Sequence, residues 1–191
     1  MLEHFGEDGT VVAEFHSSSH AVLDEIIKHR PVAVWNAITK YIGPPVDSRA
    51  YHITHWLRGD LFDTLGETGA LSLIPFDAIW AWVDEDVAKR ARYVAGFVPK
   101  QLFRKEGRLC VARELLVRYG GRGDVRQSLM ANFSSEGWSG PESLHLEAKK
   151  RELLEFKKGE TESNVKRWID EFVGVLNRRI ERARMGEERE H

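Results

Sequence analysis

Cysteine, net charge and long apolar runs are all scarce in this chain of 191 residues. The single cysteine, Cys110, excludes an internal disulfide, and its apolar surroundings predict a buried, inert thiol. A formal net charge of -2 provides no global field that would attract nucleic acid or an anionic membrane. No apolar run approaches the roughly 18–20 residues of a membrane-spanning helix, so we expect no membrane partner.

A secretory signal is also missing from residues 1–16, which are acidic and contain no continuous apolar stretch. Together with the single cysteine, this predicts a reducing, cytoplasmic location. The sequence contains no convincing nucleotide or metal signature, so we expect no cofactor and no metal. Hydrophobic residues make up 42% of the chain, which is enough to bury the core of one globular domain.

The sequence does contain a series of amphipathic segments that are separated by proline and glycine. Apolar residues recur at helical spacing in about eight or nine stretches. Pro31 and Pro75 stand where helices are expected to begin, because a first helical turn does not need their missing N–H. The pattern predicts an all-α protein with an N-terminal arm at 1–16 and a single helical-repeat domain at 17–191. Its last, long helix begins at about Val165.

Two of the predicted helix pairs share a pattern at an offset of roughly 40 residues. Pro31 precedes Trp35 in the first pair as Pro75 precedes Trp80 in the second, and each second helix contains an Arg-Ala dipeptide. This pattern resembles HEAT-like α-solenoids over about residues 20–180. The resemblance implies antiparallel helix pairs stacked as a short array, with a charged end that caps it.

Residues 131–143 form the longest stretch of turn chemistry between two helical segments, and Trp138 stands within it between two glycines. This stretch and the segment 168–172 are similar to the C-terminal helical region of some large multidomain bacterial proteins. The resemblance implies a scaffold or sensor region of a larger bacterial assembly and assigns no catalytic residue. We expect Trp138 to fill the gap between the last two helix pairs, or else to belong to a binding loop.

Six tryptophans are present, and most fall on apolar helix faces, which predicts that they pack in the core. Trp82 differs because it lies two residues from Trp80 and therefore off the same face. It is expected to be exposed or to pack against residues 60–73. An exposed tryptophan on a solenoid indicates a groove for a partner. We therefore predict a non-enzymatic interaction module that contacts a protein partner through Trp82 and Trp138.

An enzymatic alternative remains open at Asp124, Glu147 and Lys149. They formally fit a metal-dependent nuclease in which carboxylates bind Mg²⁺ and the lysine orients the attacking water. Such a site normally lies on a strand, whereas the residues after Lys149 are strong helix formers. His52 and His55 have a spacing that could hold a metal on one helix face, but a third ligand is missing.

Nucleic-acid binding is the other alternative. Basic residues cluster at 149–151, 157–158 and 178–179, where they could line a surface for phosphates. They alternate with glutamates, and intermixed charge of this kind is typical of a solvated helix face. The sequence therefore favours a protein partner over a nucleic acid.

Overall fold

The computed structural model describes residues 17–42, 48–59, 69–100, 110–135 and 137–189. These ranges contain α-helices, one turn of 3₁₀ helix at Ala70–Leu73 and no strand, which confirms the predicted all-α class. The α-helices of the described ranges are α1 (Ser17–His29), α2 (Pro31–Ile38), α3 (Ser48–Arg58), α4 (Phe76–Asp84), α5 (Val87–Ala95), α6 (Val111–Tyr119), α7 (Gly123–Ser134), α8 (Glu142–Gly159) and α9 (Ser163–Glu187). The predicted arm at 1–16 lies outside the described residues.

Proline and acidic residues set several helix starts. Pro31 occupies the first turn of α2, and Pro141 immediately precedes α8. The carboxylate of Asp86 accepts the backbone N–H of Lys89 at 3.3 Å and so caps α5. These local signals explain why the helix starts fall close to the positions that the sequence predicts.

One hydrophobic core runs through the helices, and its largest fully buried side chains are aromatic. Trp35, Trp56, Trp168 and Phe172 are each at most 1% exposed. Burying one such side chain stabilises the fold by about 1.5–3 kcal/mol. Cys110 is also buried, and burial raises the pKa of its thiol to about 11, which is consistent with an inert residue.

Helices α8 and α9 form an antiparallel hairpin that spans residues 142–187. Arg179 of α9 donates to Glu142 at the start of α8, at 2.7 Å, while Lys157 near the end of α8 binds Asp170 near the start of α9. Pairing of early with late residues defines the antiparallel direction. The hairpin places the segment before α8 beside the C-terminal part of α9.

Helices α5 and α7, in contrast, run parallel to each other. The hydroxyl of Ser128 donates to the carbonyl of Arg92 at 2.9 Å, and the amide of Asn132 donates to the carbonyls of Ala95 and Val98 at 3.2 and 2.8 Å. The residue numbers rise together along both helices. The contacts also provide partners for carbonyls in the last turn of α5 and, at Val98, just beyond it.

Candidate binding cleft at Trp138

Trp82 is buried, with 9% of its surface exposed, so the exposed position considered for it is corrected. Its ring packs edge-on against Trp35, with 5.6 Å between ring centroids. The guanidinium of Arg90 covers the ring at 4.6 Å from its centroid and donates to the carbonyl of Trp82 at 2.7 Å. A role of Trp82 in partner binding stays a prediction, which this burial does not favour.

Trp138 occupies a different environment from the one expected for a core plug. Its side chain is 43% exposed, so it does not fill a gap in the core, and that expectation is corrected. The indole instead stacks on the ring of His145 in α8, with 5.6 Å between centroids and an interplanar angle of 16°. Gly140 has a φ of +86°, which lets the chain turn sharply into α8. The stacking holds one face of the indole and leaves other parts of it accessible.

Beside Trp138 lies an open cleft of about 570 Å³ between the start of α8 and the C-terminal part of α9. Glu142 in its wall accepts from Arg179 at 2.7 Å. Glu187 accepts from the backbone N–H and the hydroxyl of Ser143 at 3.0 and 2.6 Å, and these hydrogen bonds lower the pKa of Glu187 below its ordinary value. Both carboxylates of the wall therefore have partners within the fold.

The guanidinium of Arg182 completes the polar part of the cleft. Its Nε donates to the carbonyl of Arg178 one helical turn away, at 3.2 Å. Arg182 makes no ion pair with any residue that the structure describes. The cleft thus combines an exposed aromatic ring, the ring of Pro141 and a cation whose remaining donors are available to a ligand.

The structure does not bring the three residues of the nuclease alternative together. Asp124 binds Arg122 at 3.0 Å at the start of α7, and Glu147 forms an ion pair with Arg184 of α9. Lys149 donates to the carbonyl of Phe133, at the far end of α7 from Asp124. Each proposed group is engaged with a different partner, and Asp124 and the ammonium of Lys149 lie at opposite ends of α7, so the structure does not gather these side chains into one Mg²⁺ site.

The histidine pair receives no support as a metal site. His55 is half-buried, and its Nδ1 lies 3.4 Å from the guanidinium of Arg58, which as a cation opposes metal binding. The side chain of His52 lies outside the part of the chain that the structure describes. Among the described residues, no group of three or more histidine, cysteine or carboxylate side chains could hold a metal ion.

Residues of the basic clusters form ion pairs with surface carboxylates, and these carboxylates interrupt the positive charge along the helices. Lys157 and Lys158 lie 2.5 Å from Asp170 and Glu155 respectively. Lys150 and Arg151 line a second groove between α8 and α9, where glutamates are interspersed. This intermixed charge agrees with the solvated helix face that the sequence favours.

Sequence reasoning missed an ion pair between Arg113 of α6 and the buried carboxylate of Glu160, which follows α8. Nε and Nη2 of Arg113 donate to the two carboxylate oxygens at 2.8 and 2.9 Å. Because Glu160 belongs to a polar turn between two charged helices, its sequence position indicates a solvent-exposed carboxylate. The carboxylate also accepts the backbone N–H groups of Thr161 and Glu162 within the same turn, and no local sequence pattern indicates either contact.

None of the described helices combines the length and apolar character needed to cross a bilayer. Comparison of the chain with protein-family models, curated proteins and solved structures yields no match.

Proposed function

We propose that the chain is a non-enzymatic helical-repeat module that binds a protein partner through the cleft beside Trp138. The observation that carries this proposal is the half-exposed indole, which is held in place by His145 at the edge of an open cleft. Tryptophan is enriched among the residues that dominate binding energy at protein interfaces. An indole that is already fixed loses little further conformational entropy when a partner covers it.

The repeat arrangement belongs to the same proposal, with α2/α3, α4/α5, α6/α7 and α8/α9 as four stacked pairs. The parallel packing of α5 on α7 supports it, because the second helices of adjacent solenoid repeats run parallel. Further support comes from the first helices. Trp35 of α2 donates to the carbonyl of Ala78 in α4 at 3.0 Å, and the ring of Trp80 in α4 packs against Tyr119 of α6. A cytoplasmic location and membership of a larger bacterial assembly complete the proposal.

The non-enzymatic part of the proposal is supported by the dispersion of the candidate catalytic groups. Three different partners engage these groups: Arg122 binds Asp124, Arg184 binds Glu147, and the carbonyl of Phe133 binds Lys149. The carboxylates of the cleft are engaged by Arg179 and Ser143. The cleft offers a ligand the apolar surface of Trp138 and Pro141 and the hydrogen-bond donors of Arg182. A peptide segment of a partner protein fits this chemistry better than a reacting small molecule.

A random dodecapeptide library displayed on phage, selected against the immobilised chain, tests the cleft. The affinities of the synthesised binders for the wild type and for Trp138→Ala are then measured by isothermal titration calorimetry. We expect Trp138→Ala to weaken binding by about tenfold or more, because truncating a central aromatic anchor typically costs at least about 2 kcal/mol. Circular dichroism verifies that the variant remains helical.

Leu144→Ala serves as the matched control. Leu144 is a large exposed apolar residue near the start of α8, but it does not line the cleft. Its truncation should leave the affinity of the selected peptides within about twofold. Equal effects of the two variants, or a selection that enriches no peptide, would reject the cleft as the binding site.

A further inference from the structure

Another open groove, of about 470 Å³, is lined by residues of α3, α5 and α7 and shares no described residue with the Trp138 cleft. Thr54 of α3 and Ser128 of α7 line it. Helix α5 adds Lys89, Arg92 and Tyr93 to the lining. Because the parallel helices α5 and α7 are joined by side chain to backbone hydrogen bonds, the groove is a preformed feature of the fold.

The charge of this groove has one sign. Its described lining residues include two cations, Lys89 and Arg92, and no carboxylate. The ammonium of Lys89 lies 3.2 Å from Asp86, in an exposed pair that solvent screens strongly. Arg92 is exposed and forms no ion pair with any residue in the described ranges. Arg92 therefore presents positive charge without a paired anion, in contrast to the balanced charges of the Trp138 cleft.

The floor of the groove is apolar. Tyr93 and Phe97 pack edge-to-face at its base, with 5.2 Å between ring centroids. Ala88 has a small side chain and Gly96 has none, so neither residue fills the groove. An apolar floor below two cations matches a ligand that carries carboxylates next to an apolar side chain.

We propose that the groove binds an acidic segment of a partner protein, which places a carboxylate against Arg92 and an apolar side chain over Tyr93 and Phe97. Charge complementarity identifies the occupant, because the lining residues that the structure describes include two cations and no carboxylate. A nucleic acid fits less well. Two cations can neutralise only a few phosphates, and the whole chain has a net charge of -2.

The experiment uses the full chain with Trp138→Ala, so that a peptide bound at the other cleft cannot contribute. A random dodecapeptide library on phage is selected against this protein, and the enriched peptides are synthesised with a fluorescent label. We expect them to be rich in aspartate and glutamate and to contain an aromatic or aliphatic residue. Fluorescence anisotropy then measures their affinity for the starting protein and for a Lys89→Gln/Arg92→Gln variant of it, which should bind about tenfold or more weakly.

Lys166→Gln/Arg167→Gln is the matched control, since it removes the same charge from α9, outside the groove. It should preserve the affinity within about twofold, and melting curves of both variants verify that the fold is retained. Enrichment of peptides without acidic residues would overturn the proposal, as would acidic peptides that both double variants bind equally. A labelled single-stranded 20-mer DNA is tested in the same assay. If it displaces the peptides and its binding is lost in the Lys89→Gln/Arg92→Gln variant, the groove is instead assigned to nucleic acid.

Discussion

Arg113 of α6 binds both carboxylate oxygens of Glu160, at 2.8 and 2.9 Å, and so joins α6 to the turn between α8 and α9. The same carboxylate accepts the backbone N–H groups of Thr161 and Glu162 at 2.8 and 2.9 Å. The Glu160 side chain is only 2% exposed. A buried charge with four donors forms a fixed junction between the last hairpin and the rest of the helices.

Glu160→Gln should lower the free energy of unfolding by about 2–3 kcal/mol. The amide removes the charge that Arg113 requires and turns one acceptor into a donor that faces donors. Urea denaturation at pH 7, followed by circular dichroism, measures the change. Arg113→Met should show a loss of similar size, and the double variant should lose less than the sum, because the two residues form one interaction.

Glu155→Gln is the matched control, because Glu155 forms an ion pair with Lys158 in which both side chains are more than two-thirds exposed. Its loss should change stability by less than about 0.5 kcal/mol. Equal losses for Glu155→Gln and Glu160→Gln would show that the buried junction is worth no more than a surface pair.

The junction also predicts a pH dependence. Burial on its own would raise the pKa of Glu160, but hydrogen bonds from Arg113 and from the N–H groups of Glu162 and Thr161 lower it below the ordinary value of 4.5. A folded-state pKa below the unfolded one stabilises the protein above pH 4.5, and this contribution is lost as the pH falls through the folded-state value.

The stability difference between the wild type and Glu160→Gln should therefore be constant from about pH 7 to 5.5 and shrink below about pH 4.5. Urea titrations of both proteins at successive pH values measure this difference. A difference that widens as the pH falls would mean that the pKa of Glu160 is raised by burial, and that Arg113 does not compensate for it.

The helices could be predicted closely because their signals are local. The sequence predicts that a helix begins at Pro75, and the structure shows the helix Phe76–Asp84. The predicted final helix from about Val165 begins at Ser163. Proline at a helix start and apolar residues at helical spacing act within one segment, so a single sequence reveals them.

The surroundings of the tryptophans could not be predicted in the same way. Helical periodicity identifies one apolar face of a helix. Helix α4 is covered on a second side as well, because Trp35 and Arg90 pack on Trp82, which lies off the main apolar face. The position of Trp138 depends on its stacking partner, His145, which is polar and gives no hydrophobic signal. The partner of Glu160 lies 47 residues away in the sequence, and the order of charges does not reveal it.

Two tryptophans should differ sharply in their contribution to stability. Trp168 is fully buried between Phe133 and Phe172, and its Nε1 donates to the carbonyl of Arg126 at 3.2 Å. Trp168→Ala should cost about 3–5 kcal/mol and lower the melting temperature by at least several degrees. Trp138→Ala should cost less than about 1.5 kcal/mol, because a half-exposed ring leaves no closed cavity.

Thermal denaturation of both variants, with Leu144→Ala as an exposed reference, measures the difference. Acrylamide quenching adds an independent readout, because the quencher-accessible component of the wild-type fluorescence should be absent from Trp138→Ala. A loss of stability in Trp138→Ala equal to that in Trp168→Ala would restore the role of Trp138 as a core plug.

Two glycines should respond in opposite directions to the same added methyl group. Gly69, at the start of the 3₁₀ turn Ala70–Leu73, has a φ of +63°, and a Cβ there would lie 2.4 Å from the carbonyl oxygen of Leu57. Gly69→Ala should therefore destabilise the fold by about 1–3 kcal/mol. Gly174 lies within α9, where the nearest atom to a Cβ is Nη1 of Arg178 at 3.9 Å, an ordinary contact distance.

Gly174→Ala should stabilise the protein by about 0.5–1 kcal/mol, because alanine restricts the unfolded chain and favours the helix. Chemical denaturation of the two variants and the wild type under identical conditions measures both signs. A stabilised Gly69→Ala would mean that the carbonyl of Leu57 can move away from the 3₁₀ turn at little cost. A destabilised Gly174→Ala would place a close neighbour against the middle of α9, where the structure has open contact distance.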